Sequence, residues 1–260
     1  MTDFRGQDLS GSTFDWTDLS GSTFTCASLS NTVITGTDLH HVRMRGVELM
    51  DVDISGELTD VVVNGVDIAP LVEAELDRRD PRRSRMRPTD PDGFRQAWDV
   101  VEEMWQPTVA RARRLDPDQL HASVDGEWSF VETLRHLVFA TESWVGRCIL
   151  GDPSPWHPLS LPWDEMPDTE GIPRDRGVRP SVEGVLALRH DRMAMVRRVV
   201  DGLTDGQLAS ETDPLVGPGW PPEGSTFPVQ ECLRIVLNEE WEHRRYAERD
   251  LAALEESTAT

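Results

Sequence analysis

From Phe4 to Ile54 a bulky apolar side chain returns at every fifth residue: Phe4, Leu9, Phe14, Leu19, Phe24, Leu29, Ile34, Leu39, Met44, Leu49 and Ile54. Two positions before each stands a small or short residue, from Thr2, Gln7, Ser12, Thr17, Ser22, Ala27, Thr32 and Thr37 to Val42, Val47 and Val52. A period of five matches neither the helical period of about 3.6 nor the strand period of 2, so neither element would keep this column on one face. A fixed repeat of this kind reads first as a solenoid.

The stretches DLSGS and DLHHV, with a central Leu and a small residue two before it, resemble the pentapeptide-repeat family. The resemblance implies a right-handed quadrilateral β-helix over residues 1–60, with the Leu/Phe column stacked inside and the small residues at the corners. Eleven repeats make fewer than three such coils. Solenoids depend on neighbour contacts and capped ends, so a module this short is expected to dock on something. The cap is expected in VVVNGVDIAPLVEAELDRR, read as a strand, an Asn64-Gly65 turn and a short helix from Pro70 to Arg78. Arg78 to Pro91, with six arginines and three prolines, reads as a linker. The expected organisation is therefore repeats over 1–60, cap and linker over 61–90, and a second domain over 91–260. Some pentapeptide-repeat proteins bind DNA topoisomerases by imitating the duplex. An acidic module is compatible with that role, with pairing to a second copy of the chain, or with docking to another protein.

The formal net charge of −21 argues against binding nucleic acid through its phosphates, which needs clustered positive charge. All 26 basic residues are arginine, a bias expected of a high-GC bacterial genome. No basic and apolar leader opens the chain, and no apolar run approaches about 18 residues, so no membrane segment is expected and the cytoplasm is the expected location. Cys26, Cys148 and Cys232 are odd in number and far apart, and are read as buried thiols rather than a disulfide framework.

Beyond the linker, four amphipathic segments, roughly 92–115, 129–150, 181–203 and 228–255, predict an all-α four-helix bundle. Ser129 and Glu132 form a capping-box pattern at the second, and Ser181 caps the third. The connection over 151–180, containing Trp156, His157 and Trp163, is longer than a bundle requires and is expected to wall a pocket.

The fourth segment carries chemistry. Its apolar stripe runs through Val229, Leu233, Val236, Ala247, Leu251 and Leu254, and Glu239, Glu240 and His243 fall within roughly 60° of its centre. Buried charge of this kind is normally paired or bound to a metal, and Glu239 and His243, four apart, can reach one ion. Glu240 and Glu242 are read as supporting groups or solvated charges, and His40, His41, His121, His157 and His190 as structural or exposed. On periodicity alone His136 is a surface or flank histidine.

The run Trp128, Ser129, Glu132, Leu134, His136, Leu137, however, resembles the second-helix signature of the DinB-like superfamily. That superfamily commonly has H-x-x-x-H in its last helix, whereas this chain has Glu239 and His243. In this it is similar to the mycothiol-dependent maleylpyruvate isomerase branch, whose metal is held by His, Glu and His. The resemblance implies His136, Glu239 and His243 as ligands of a divalent metal. Two imidazoles and a carboxylate suit catalytic Zn²⁺ with one open position. The implied function is a metal-dependent thiol S-transferase or isomerase acting on an electrophile, with mycothiol as co-substrate. A scaffold that binds a protein partner through the acidic repeats is the other reading.

Overall fold

The computed structural model describes residues 3–258, so Thr2, the first of the small repeat residues, lies outside the described part. The chain divides into two compact units between Gly56 and Glu57.

In the first unit the period of five is written into the backbone. Gly6, Gly11, Trp16, Gly21, Cys26, Asn31, Gly36, His41, Gly46 and Asp51 all have positive φ, each two residues after a column residue. At Trp16 and Cys26 a side chain occupies a conformation that normally favours glycine, so the turn there is imposed by the repeat rather than by residue preference. The turns are closed locally, by Ser12 N–H to Leu9 O (3.1 Å) and Ser22 N–H to Leu19 O (3.0 Å), and by Ser20 N–H donating to Asp18 Oδ1 (2.8 Å). No strand is assigned among described residues 3–56, and the column is exposed, from 41% at Leu9 to 69% at Ile54. The expected stacked interior is not seen: the repeat is present as locally closed turns, with the column exposed. The reason is range: a turn needs only its own five residues, whereas an interior needs bonding between coils roughly 20 residues apart.

The second unit opens with a small hairpin, β1 (Val62–Val63) and β2 (Val66–Asp67), turning at Asn64 and Gly65, both at positive φ as a two-residue turn demands. Helix α1 (Ala69–Arg79) follows, with Pro70 in its first turn. The arginine-rich segment is not a free linker. Its 3₁₀ turn (Arg83–Met86) docks with Met86 buried in the bundle core, and Arg83 donates to Glu73 (2.7 Å) and Asp77 (2.9 Å) of α1. Arg234 ties the segment down further by donating to the Pro88 carbonyl (2.9 Å).

Four long helices form the bundle: α2 (Pro91–Ala112), α3 (Phe130–Thr141) continued by a π-helical segment (Glu142–Ile149), α4 (Val182–Asp201), and, after the short α5 (Asp205–Leu208), α6 (Val229–Thr258). Asp90 caps α2 through Gly93 N–H (2.9 Å), and Phe94, Ala97, Trp98, Val101, Met104, Trp105 and Thr108 give it one buried stripe. Helix α2 packs on α4 and α6, and α3 packs on α4 and α6. The expected single helix over 129–150 therefore changes pitch at Glu142, which shifts the faces that follow.

Helix α3 is buried on every side, including Arg135 and His136. Its outer face is covered by the long 151–180 connection, onto whose carbonyls Arg135 donates: Leu159 (2.8 Å), Asp175 (2.6 Å) and Val178 (3.3 Å). No helix among the described residues is long and apolar enough to cross a membrane.

Candidate metal centre

Helix α6 places Glu239 and His243 one turn apart, and α3 brings His136 to face them. The three residues offer ligand atoms that all lie within 4.8 Å of one another, the one such group of three or more among the described residues. His136 is 6% exposed. Its Nδ1 lies 3.0 Å from the Leu161 carbonyl and its Nε2 3.3 Å from Glu239 Oε2. A proton on Nδ1 donated to that carbonyl leaves the Nε2 lone pair directed at the carboxylate side, the usual outer support of a metal-binding histidine. His243 Nδ1 lies 3.0 Å from the Glu239 carbonyl oxygen and 3.1 Å from Glu239 Oε2.

Despite two imidazoles at ion-pair distance, Glu239 Oε2 is buried and accepts no aligned hydrogen bond. An orphaned buried carboxylate oxygen is costly, and a cation between it and the imidazoles would satisfy it. Two imidazoles and a carboxylate whose ligand atoms lie within 4.8 Å of one another are a donor set suited to a divalent cation. The residues present fit the ion.

The electrostatics agree. Burial pushes the Glu239 carboxyl up, but His136 and His243 beside it outweigh that and hold it well below the usual carboxylate range. Burial pulls His243 down, and the Glu239 carboxylate and carbonyl with the Glu240 charge reverse this, leaving the imidazole above its ordinary value. The site is built for positive charge.

Aromatic rings enclose it. Trp128 lies 4.5 Å from the His136 ring and stacks on His243 at 6.0 Å, Phe139 stands 6.1 Å from His136, and Tyr246 meets His243 edge-on at 5.9 Å. Trp128 is fixed in turn: its indole N–H donates to Asp164 (3.3 Å), Arg176 donates to Asp164 (2.9 Å) and to Glu132 (2.7 Å), and Glu132 closes the capping box on Ser129. The 151–180 connection is thus a wall of the centre, supplying Leu161 O and Asp164.

The other singled-out residues fall elsewhere. Glu240 is buried in an ion pair with Arg189 of α4 (2.5 Å), whose guanidinium also lies over Trp105 at 4.4 Å. Arg189 interrupts the α4 stripe of Val185, Val196 and Val200 as Glu240 interrupts that of α6, which marks each as a buried charge without saying that they pair. Glu242 pairs with Arg245 one turn on (2.5 Å). His157 accepts from Leu159 N–H (3.1 Å) within the covering loop, and His40, His41 and His190 are exposed. Of the cysteines, Cys148 and Cys232 are buried as expected and Cys26 is exposed, because its repeat unit closes no interior around it. Two cavities open away from the centre: one of about 240 Å³ beside Glu142, Arg192 and Met195, and one of about 80 Å³ beside Ser129, Arg176 and Arg179. Neither is lined by His136, Glu239 or His243.

A helical bundle whose interior gathers His, Glu and His from two helices defines a class: bundles with a candidate metal centre between their helices. Residues 101–247 match the family model described as the DinB superfamily, and residues 1–25 and 14–51 match that described as pentapeptide repeats, in eight copies. The chain belongs to the DinB superfamily, whose members are metal-dependent, and carries pentapeptide repeats at its N-terminal end. No curated protein and no solved structure matches it.

Proposed function

We propose that His136, Glu239 and His243 hold a divalent metal, zinc best, and that the protein is a thiol S-transferase or isomerase working at that centre with a small thiol of the mycothiol type and an electrophile. The observation that carries this is Glu239 Oε2, buried, without a hydrogen bond, and facing two imidazoles. A zinc ion held by these three residues would supply the Lewis acidity that lowers the pKa of a small thiol and makes it a nucleophile at neutral pH. The chain's own residues do the rest. Leu161 O orients His136, and the Glu239 carboxylate keeps its charge because the imidazoles hold its pKa down. Trp128, Phe139 and Tyr246 exclude water around the reacting side, where electrostatic effects are then larger.

For residues 1–60 we infer a right-handed quadrilateral β-helix, supported by the left-handed residue at every fifth position. Its acidic surface would serve as the docking face for a protein partner or a second copy of the chain.

The test is elemental analysis of the purified protein followed by thiol consumption in the presence of an electrophile. About one equivalent of metal and a consumption rate abolished by chelation and restored by zinc are expected. Metal-free protein that consumes thiol at the same rate would overturn the reading.

A further inference from the structure

Cys148 and Cys232 stand 84 positions apart in sequence and meet in the fold. Cys148 lies on the π-helical segment and Cys232 in the first turns of α6. Both are buried, at 3% and 0% exposure, and they sit together in one apolar cluster with Leu215, packed against by Trp144, Ile149 and Phe227. No metal ligand or ion pair of the candidate centre involves either thiol.

Their register gives the pair a meaning. Twelve residues separate His136 from Cys148 along one helix, and eleven separate Cys232 from His243 along the other. The two helices run antiparallel, so the same pair is bridged at one end by the metal-ligand set and at the other by two thiols, about 17 Å away at about 1.5 Å per residue.

We propose that Cys148 and Cys232 are a reversible disulfide site that staples the π-helical segment to α6. The oxidant is of the peroxide class. One thiolate attacks hydrogen peroxide, giving a sulfenic acid and hydroxide, which takes up the released proton as water. The second thiol then attacks the sulfenic sulfur, forming the S–S bond and releasing a second water, so that two thiols and one peroxide become one disulfide and two waters. A low-molecular-weight dithiol reverses it by exchange. Burial makes the step slow in the closed fold, so it proceeds from a locally opened state in which the oxidant reaches the thiols and a thiolate forms. The cross-link closes a long loop, so it stabilises chiefly by restricting the unfolded chain. The inference stands on the two cysteines alone and does not depend on the metal centre.

The experiment uses the full chain carrying Cys26→Ser, which removes the exposed thiol and intermolecular cross-links. Hydrogen peroxide treatment, quenching and alkylation in denaturant should leave no titratable thiol where two were present. Peptide mapping without reductant should show residues around Cys148 linked to those around Cys232, with a mass loss of two hydrogens. The melting temperature should rise by several degrees and fall back with dithiothreitol. The same treatment of Cys26→Ser combined with Cys148→Ala, or separately with Cys232→Ala, should give neither link nor shift. Two thiols still titratable, oxidation that stops at sulfinic acid without a link, or a link that leaves melting unchanged or lower would each overturn the staple.

Discussion

Glu239 accumulates three roles in one residue: its carboxylate faces His136 across the bundle and His243 on its own helix, and its backbone carbonyl lies near His243 Nδ1. His243→Ala should therefore remove most bound metal while leaving helix content unchanged by circular dichroism. Glu239→Gln should weaken binding less, since an amide oxygen still coordinates poorly, and Glu242→Gln, paired only with Arg245, should leave stoichiometry unchanged. The pH dependence has a definite sign. Glu239 raises His243 above its ordinary 6.5, so protons compete with the cation from a higher pH than for a free imidazole. Zinc affinity should begin to fall while the pH is still above 6.5, and a pH titration of Glu239→Gln should show that onset displaced downward. Next to the site, Glu240 belongs to the fold. Arg189→Ala should cost about 3–5 kcal/mol in urea denaturation by stranding the buried Glu240 carboxylate, and replacing both partners, Arg189→Met with Glu240→Leu, should recover most of it.

Among the elements, α1 and the 3₁₀ turn behind it show how a basic stretch becomes structure. Arg83, 13% exposed at its side chain, bridges Glu73 and Asp77, and Arg87 pairs with the same two carboxylates. The Arg83 guanidinium holds the Glu73 carboxyl below its ordinary 4.5. A carboxyl lowered by folding contributes stability that is present above 4.5 and is lost as pH falls through its lower folded value. Arg83→Ala should thus destabilise by about 1 kcal/mol at pH 7, and chemical denaturation near pH 3 should find a smaller gap from wild type. Helix α3 makes a different point: its capping box sets where it begins, while the connection lying over it decides that His136 and Arg135 are interior.

On the scale of the molecule, all three candidate ligands and their supports lie in the unit that begins at Glu57. A fragment starting at Glu57 should fold and bind metal with the full-length stoichiometry, checked by elemental analysis after gel filtration. Metal bound only to the folded state adds RT ln(1 + [L]/Kd), about 2.7 kcal/mol at a hundredfold excess over Kd. Zinc added to stripped wild type should raise its melting temperature, and the His243→Ala variant should melt alike with and without it. In the N-terminal unit, Leu19→Asp tests the inferred β-helix. A charge placed in a stacked column should abolish cooperative melting of that unit, and unchanged melting would leave the repeats as turns alone.

What the sequence by itself determined is what neighbours along the chain decide. The five-residue period sets a left-handed residue two after each column position, Asn64-Gly65 sets a hairpin turn, Ser129 with Glu132 sets a helix start, and the E-x-x-x-H spacing sets Glu239 and His243 on one face. Each is fixed within about one turn of backbone, where local sterics and hydrogen bonds suffice. His136 was legible only through its resemblance to a known signature, because the face it occupies becomes interior when a connection 25 residues away in sequence lays the Leu161 carbonyl on it. Tertiary structure alone decided that contact, the Arg189 partner of Glu240, the docking of the arginine-rich segment, and the meeting of Cys148 with Cys232. The physical reason is common to all four: a buried polar group takes its partner from whichever element packs against it, and residues distant in sequence leave no local pattern of which one that will be.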